Sequence, residues 1–168
     1  SFAITGPRPG DDRGWFFKPY FKEGFAEAGV SFQPTEAFLS ESQAGVLRGM
    51  HFQIPPHQHN KVVSCLSGRV LDVGLDMRKD SATCGKFFMQ ELSPRGVQSL
   101  FMPVGLAHGF LALEDRSILS YLVDASHSPA HDIGVRWDSF GMKWPHAAPV
   151  LSARDKSFPE FGAFRSPF

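Results

Sequence analysis

The sequence predicts an all-β domain, on three observations. Short apolar runs with strand-like alternation recur through the middle of the chain. Turn residues separate these runs at regular intervals, as in antiparallel sandwiches and small barrels. Long amphipathic patterns are scarce, while 17 Phe, 13 Pro and 16 Gly punctuate the 168 residues. That length fits one domain, 1–168, large enough to enclose a core without disulfides or metal as staples. There is no internal repeat, linker or low-complexity tract.

The elements follow in order. "YFKEGFAEAG" (Tyr20 to Gly29) sets Phe21 and Phe25 at i, i+4, enough for one short helix ending at Gly29. "CLSGRVLDV" reads as strand, Ser67-Gly68 turn, strand. In "VLDVGLDM" Leu71, Val73, Leu75 and Met77 share one face and Val70, Asp72, Gly74 and Asp76 the other. The two aspartates therefore face either solvent, on a sheet with one wet side, or a polar cavity. "FFMQEL", "SLFMP", "HGFLAL" and "SILSYLV" are further short strands, parted by turns at 93–96, 103–105 and 114–116. Ser152 with Asp155 three residues later resembles a capping box, so a second short helix starts there, limited by Pro159.

Lys+Arg and Asp+Glu both number 17, giving zero formal net charge, so nothing general points to a nucleic acid or anionic membrane partner. No apolar run approaches the roughly 20 residues a membrane span needs. "SFAITGPRPGDDRG" lacks the charged start and apolar centre of a signal peptide, and the missing initiator Met suggests trimming. Cys65 and Cys84 match no disulfide framework or zinc spacing and read as two reduced, packed thiols. The expected location is the cytoplasm.

The chemistry concentrates in "GVLRGMHFQIPPHQHNK" (Gly45 to Lys61). His57 and His59 could offer two imidazoles to a metal if they lay on a strand, with His108 as a third, which resembles the pattern of metal-binding cupins and would suit a metal-dependent cupin oxygenase, although the Glu that follows the H-x-H in that pattern is absent. Against this, Lys61 stands where a carboxylate would help, and Pro55-Pro56 makes the segment loop-like. His57 and His59 are therefore expected to be loop histidines facing solvent. The alternative is proton transfer. His51 is suited to it near pH 7 if a carboxylate orients its other nitrogen. Strict alternation would put Arg48 and His51 on opposite faces, but a bulge at Gly49 would change their aim.

"GVLRGMHFQ", "NKVVSCLSGRVLDVGLDMRKDSATCGKF", "FMPVGLAHGFLAL" and "GVRWDSFGMKWP", with "DDRGWFF" and "PVLSARDK" towards the ends, resemble the dTDP-4-dehydrorhamnose 3,5-epimerase family of nucleotide-sugar epimerases. The likeness runs from about residue 11 to about residue 156. It implies a cupin-type jelly-roll barrel with a few short peripheral helices, usually a homodimer, needing neither metal nor other cofactor. It also implies a nucleotide-diphospho 4-keto sugar as substrate. Carried over by position, His51 matches the general base and Asp155 its carboxylate partner. Tyr121 matches the general acid and Lys61 the lysine near the C4 oxygen. His108, paired with Asp72, matches a second pocket histidine, and Arg13 and Arg48 match arginines on the diphosphate side. A non-catalytic sugar-binding barrel is the remaining alternative.

Departures from the family pattern cluster at the nucleotide end. Lys18 stands near a position that is often Glu. The usual Gln-Asp-Asn falls on about Glu36-Ala37-Phe38, and Asp132 replaces a common Glu. "SHSP" leaves His127 where an aromatic is expected to stack on thymine. These differences point to a nucleotide other than thymidine diphosphate, such as a CDP- or GDP-linked sugar. Whether C3, C5 or both are inverted stays open.

Overall fold

Successive strands of this chain cross repeatedly between two facing sheets, and that crossing creates the space in which the chemistry-bearing residues meet. The computed structural model describes residues 1–4 and 10–168. In chain order its elements are β1 (Phe2–Ile4), β2 (Gly10–Asp11), β3 (Gly14–Trp15), α1 (Lys22–Glu27), β4 (Glu36–Ser42), β5 (Leu47–Gln53), β6 (Lys61–Ser67) and β7 (Val70–Asp76). There follow β8 (Phe87–Leu92), β9 (Ser99–Met102), β10 (Leu106–Ala112), β11 (Ser117–Val123), β12 (Asp132–Gly134), α2 (Ala153–Ser157) and a 3₁₀ turn at Phe161–Ala163.

One sheet has the order β1-β9-β6-β11-β4 and the other β12-β5-β10-β7-β8, while β2 and β3 form a separate small hairpin. The strand pairs of both sheets are antiparallel. From β4 to β7 each strand lies in the sheet opposite its predecessor, and β9 to β12 repeat the alternation. This is the cupin-type jelly roll that the resemblance implied. The Ser67-Gly68 turn falls where the sequence placed it, but β6 and β7 belong to different sheets, so it crosses between layers and is no hairpin. Gly68 is left-handed there, with φ of 70°.

Between the sheets, Val63, Cys65, Val70, Leu92, Leu100, Met102, Phe110 and Leu119 form the inner core. The outer face of the second sheet is covered too. Val73, Leu75 and Met77 pack there against Val135, Phe140 and Met142, with Phe161, Phe164 and Phe168 from the C-terminal segment. This resolves the two faces of β7. Its apolar odd-numbered side is roofed by that segment, and Asp72 on the other side is fully buried between the sheets. Asp76 is also buried; it ends the strand by accepting hydrogen bonds from Arg78, Ser81 and Thr83.

On the first sheet α1 lays Phe25 against Phe32, Val62 and Phe101. Both expected helices form, α1 inside the span read from Phe21 and Phe25, and α2 behind its Ser152 cap. One expectation fails: Cys65 is a buried free thiol, but Cys84 is exposed, because it lies outside the strands, in the turn between β7 and β8. Burial raises the Cys65 thiol to about 11. Among the described residues no helix is long and apolar enough to cross a membrane.

Candidate active site

A cavity of about 350 Å³ opens between the two sheets. The first sheet supplies Glu36, Phe38 and Ser40 from β4, Lys61 from β6, and Tyr121 and Val123 from β11. The second supplies Arg48, His51 and Gln53 from β5 and His108 from β10.

Arg48 and His51 share this cavity because β5 does bulge. Opposite β10, His108 pairs with His51 but Phe110 pairs with Arg48, so β5 carries one residue more than its partner across the step. Gly49 sits inside that step at φ of 144°, and a Cβ there would lie 2.5 Å from Gly109 Cα. Only glycine fits such an approach. Arg48 is then anchored by donating to Ser42 Oγ and the Glu41 carbonyl, each at 3.0 Å.

His51 Nε2 lies 2.7 Å from Asp155 Oδ1, across 104 residues of chain. The carboxylate arrives on α2, whose N-cap Ser152 accepts the Asp155 amide at 3.0 Å. Burial pushes the Asp155 carboxyl up, but hydrogen bonds from His51, the Gly49 amide and Ser152 outweigh it and hold the group below the usual carboxylate value. Phe158 packs its ring edge-on against His51, with centroids 5.6 Å apart. The imidazole is therefore fixed on two sides, with Nδ1 as its remaining functional atom.

Within the second wall, His108 Nε2 and Asp72 Oδ2 are hydrogen-bonded at 2.8 Å, both buried. Burial favours the neutral form of each: the Asp72 carboxyl is raised and the His108 imidazole lowered, against their mutual attraction. Lys61 is buried as well, and burial lowers its ammonium to about 8, although Asp132 and Asp72 pull the other way. Tyr121 is buried in the opposite wall, where burial drives its phenol well above the ordinary value; the neighbouring Ser40 hydroxyl and Arg48 only moderate this.

At the mouth, the Asp132 carboxylate is ion-paired with Arg154 at 2.9 Å, whose guanidinium donates to the Asp132 carbonyl at 2.8 Å, and it stands 4.0 Å from the His127 ring. The His127 amide donates to Glu36 at 2.9 Å. His59 departs from its expectation. It lines the cavity and is half-buried, with Nδ1 2.9 Å from Gln53 Nε2, because buried Gln53 ties the loop after β5 to the one before β12. Burial, reinforced by Lys61, lowers His59 to about 3, so it is a neutral wall residue. His57 does lie in the loop, but only partly exposed, its ring 4.4 Å from that of His131. Among the described residues no cluster of three or more His, Cys, Asp or Glu is arranged to hold a metal; His57, His59 and His108 each face another partner.

Two expected substrate contacts fall outside the cavity. Arg13 is exposed on the β2–β3 hairpin and paired with Asp11. Lys18 is exposed, with its ammonium 5.9 Å from the Phe21 ring. Conversely, sequence reasoning did not single out Gln53, Ser40 or Phe158. Gln53 was within reach, since it closes the same "GMHFQ" block as His51.

The family model for dTDP-4-dehydrorhamnose 3,5-epimerase matches residues 1–163. The chain belongs to the dTDP-4-dehydrorhamnose 3,5-epimerase family. The enzyme of that name from Mycobacterium tuberculosis is 42% identical over 173 residues, covering 99% of this chain and 85% of its own. Among solved structures, the Bacillus anthracis epimerase with TDP and pyrophosphate bound superposes with a TM-score of 0.89 at 36% identity, covering 92% of this chain and 90% of that one. A 3′-monoepimerase from Streptomyces bikiniensis, in complex with dTDP-quinovose, gives a TM-score of 0.87 at 30% identity over 93% and 81% of the two chains. The epimerase fold and this isomerase family thus coincide in one chain, which sets aside the reading of a non-catalytic sugar-binding barrel.

Proposed function

We propose that this nucleotide-sugar epimerase inverts C3, C5 or both of a nucleotide-linked 4-keto-6-deoxy sugar by proton transfer through an enolate. The observation that carries the reading is the pairing of His51 with Asp155 on one wall of a cavity whose other wall holds Tyr121. A hydrogen on carbon beside a ketone is acidic because the resulting charge spreads onto the carbonyl oxygen. His51, steadied by Asp155, takes that proton on Nδ1, and the carboxylate stabilises the imidazolium as it forms. The Lys61 ammonium neutralises the oxyanion as it develops, in a site where burial makes such a charge effective. Inversion needs a proton from the opposite face. A phenol held above its ordinary pKa stays protonated at neutral pH and yields its proton only to a strongly basic carbon. No net electrons move. Arg48 stands ready for the diphosphate, and His108 with Asp72 orients the sugar.

The bound base is proposed to differ from thymine. His127 sits beside Asp132 at the mouth in place of a free aromatic face, and Glu36 adds a carboxylate there. Calorimetry with dTDP, CDP and GDP checks this, and clear preference for dTDP would overturn it. The central test is hydrogen exchange in deuterium oxide with a panel of 4-keto nucleotide sugars. Wild type should incorporate deuterium at C3 or C5, and His51→Ala should lose at least about 100-fold of that rate. Full exchange retained by His51→Ala would remove the assigned base.

A further inference from the structure

Phe38 occupies a place where burial gives it little. It lies on β4, an edge strand of its sheet, and the residue stays 44% exposed. In register it faces Tyr121 directly across the β4–β11 pair. The two rings are laid flat on one another, with centroids 4.6 Å apart and planes 12° from parallel. On another side of Tyr121 the His108 ring stands 6.0 Å away at 62°. The phenol is thus held between an aromatic face and an imidazole edge, and His108 is itself fixed by Asp72.

We propose that Phe38 is a positioning residue, a flat clamp that keeps the Tyr121 phenol aimed at the sugar carbon and so decides whether an enolate is inverted or returned. The proposal rests on the epimerase reading above. Once His51 has taken the proton, the planar enolate can be protonated on either face. Return of a proton from His51 restores the starting configuration, with solvent deuterium incorporated if the imidazolium has exchanged. Delivery from Tyr121 breaks its O–H bond and forms the C–H bond on the opposite face. The tyrosinate then regains a proton from solvent while His51 releases one. Which face wins depends on whether the phenol is already in line, and a ring free to swing loses that competition. Phe38 touches neither the reacting carbon nor the oxyanion in this scheme and acts only through Tyr121.

The test separates this role from general support of the fold. With a sugar that wild type accepts, exchange with retention and formation of inverted product are followed together by proton NMR in deuterium oxide. Phe38→Leu should keep total exchange within about twofold of wild type while inverted product per exchange event falls about tenfold. Phe38→Tyr, which keeps the flat ring, should restore the partition. An equal loss of exchange and inversion in Phe38→Leu, or an unchanged partition, would overturn the proposal. A second readout needs no turnover. The chain has 2 Tyr, so Tyr20→Phe leaves Tyr121 as the sole tyrosine signal in a ring-labelled sample. Adding Phe38→Leu should speed its ring flipping at least about tenfold, and unchanged flipping rejects the clamp. Absence of exchange by wild type with every sugar would remove the epimerase reading, whereas rapid flipping in wild type would remove the clamp alone.

Discussion

At Lys61, burial and the proposed role pull against each other. Its ammonium is lowered from 10.5 to about 8, first by burial. Between those values the unfolded chain holds the proton more tightly than the folded one, so stability should rise as pH increases from about 8 towards 10.5. Lys61→Met removes the buried charge. Its thermal midpoint at pH 7 should exceed that of wild type, and the alkaline gain in stability should vanish. Activity should move the other way. If Lys61 faces the oxyanion as proposed, loss of its charge should lower kcat by roughly 100-fold, and the fall in wild-type activity above about pH 8 should be absent from the variant. Calorimetric melts and rate profiles over the same pH range check both. A variant that is less stable at pH 7 would show that Asp132 and Asp72 more than offset the burial of this amine. Such an exchange of stability for function is common at active sites.

At the scale of elements, two local devices place the dyad: the β5 bulge at Gly49 and the cap of α2 at Ser152. Gly49→Ala forces a Cβ to within 2.5 Å of Gly109 Cα at a φ of 144°. The strain should cost about 2 kcal/mol or more, lowering the melting midpoint by roughly 4–8 °C. Exchange should fall with it, since Arg48 and His51 lose their common aim. Ser152→Ala is milder: loss of the cap should cost about 1 kcal/mol, and exchange should drop because Asp155 loses a fixed amide. A melt and an exchange assay on each variant test the pair; normal exchange in Gly49→Ala would detach the bulge from catalysis. Both devices were legible in the sequence, as a glycine breaking an alternation and as Ser-x-x-Asp. So were the strands from Lys61 to Val123, whose periodicity and turns are local signals. The roof over β7 was not legible, because it is formed by aromatic residues far along the chain with no periodicity of their own. His59 was misplaced for a similar reason. Its burial depends on Gln53 joining two loops, a contact that spacing within either loop cannot show.

For the whole molecule, the positions of Arg13 and Lys18 matter most. Both were expected near substrate, yet both lie outside the cavity of their own chain. Nearby in the chain, Trp15, Phe16 and Phe21 are 54%, 60% and 49% exposed, three large apolar side chains left to solvent along one short stretch. The homodimer implied by the family resemblance accounts for that surface if the hairpin segment lies at the subunit contact. Light scattering should then give about twice the 18.6 kDa chain mass. Trp15→Glu, which sets a charge in an apolar contact, should shift the mass towards that of one chain by weakening association at least about tenfold. Because the cavity and its dyad are built within one chain, that variant should still bind a nucleoside diphosphate, though more weakly if Arg13 serves a neighbouring site. A wild-type mass of one chain, or a Trp15→Glu protein that stays dimeric, would place the contact elsewhere and leave the exposed aromatics unexplained by self-association.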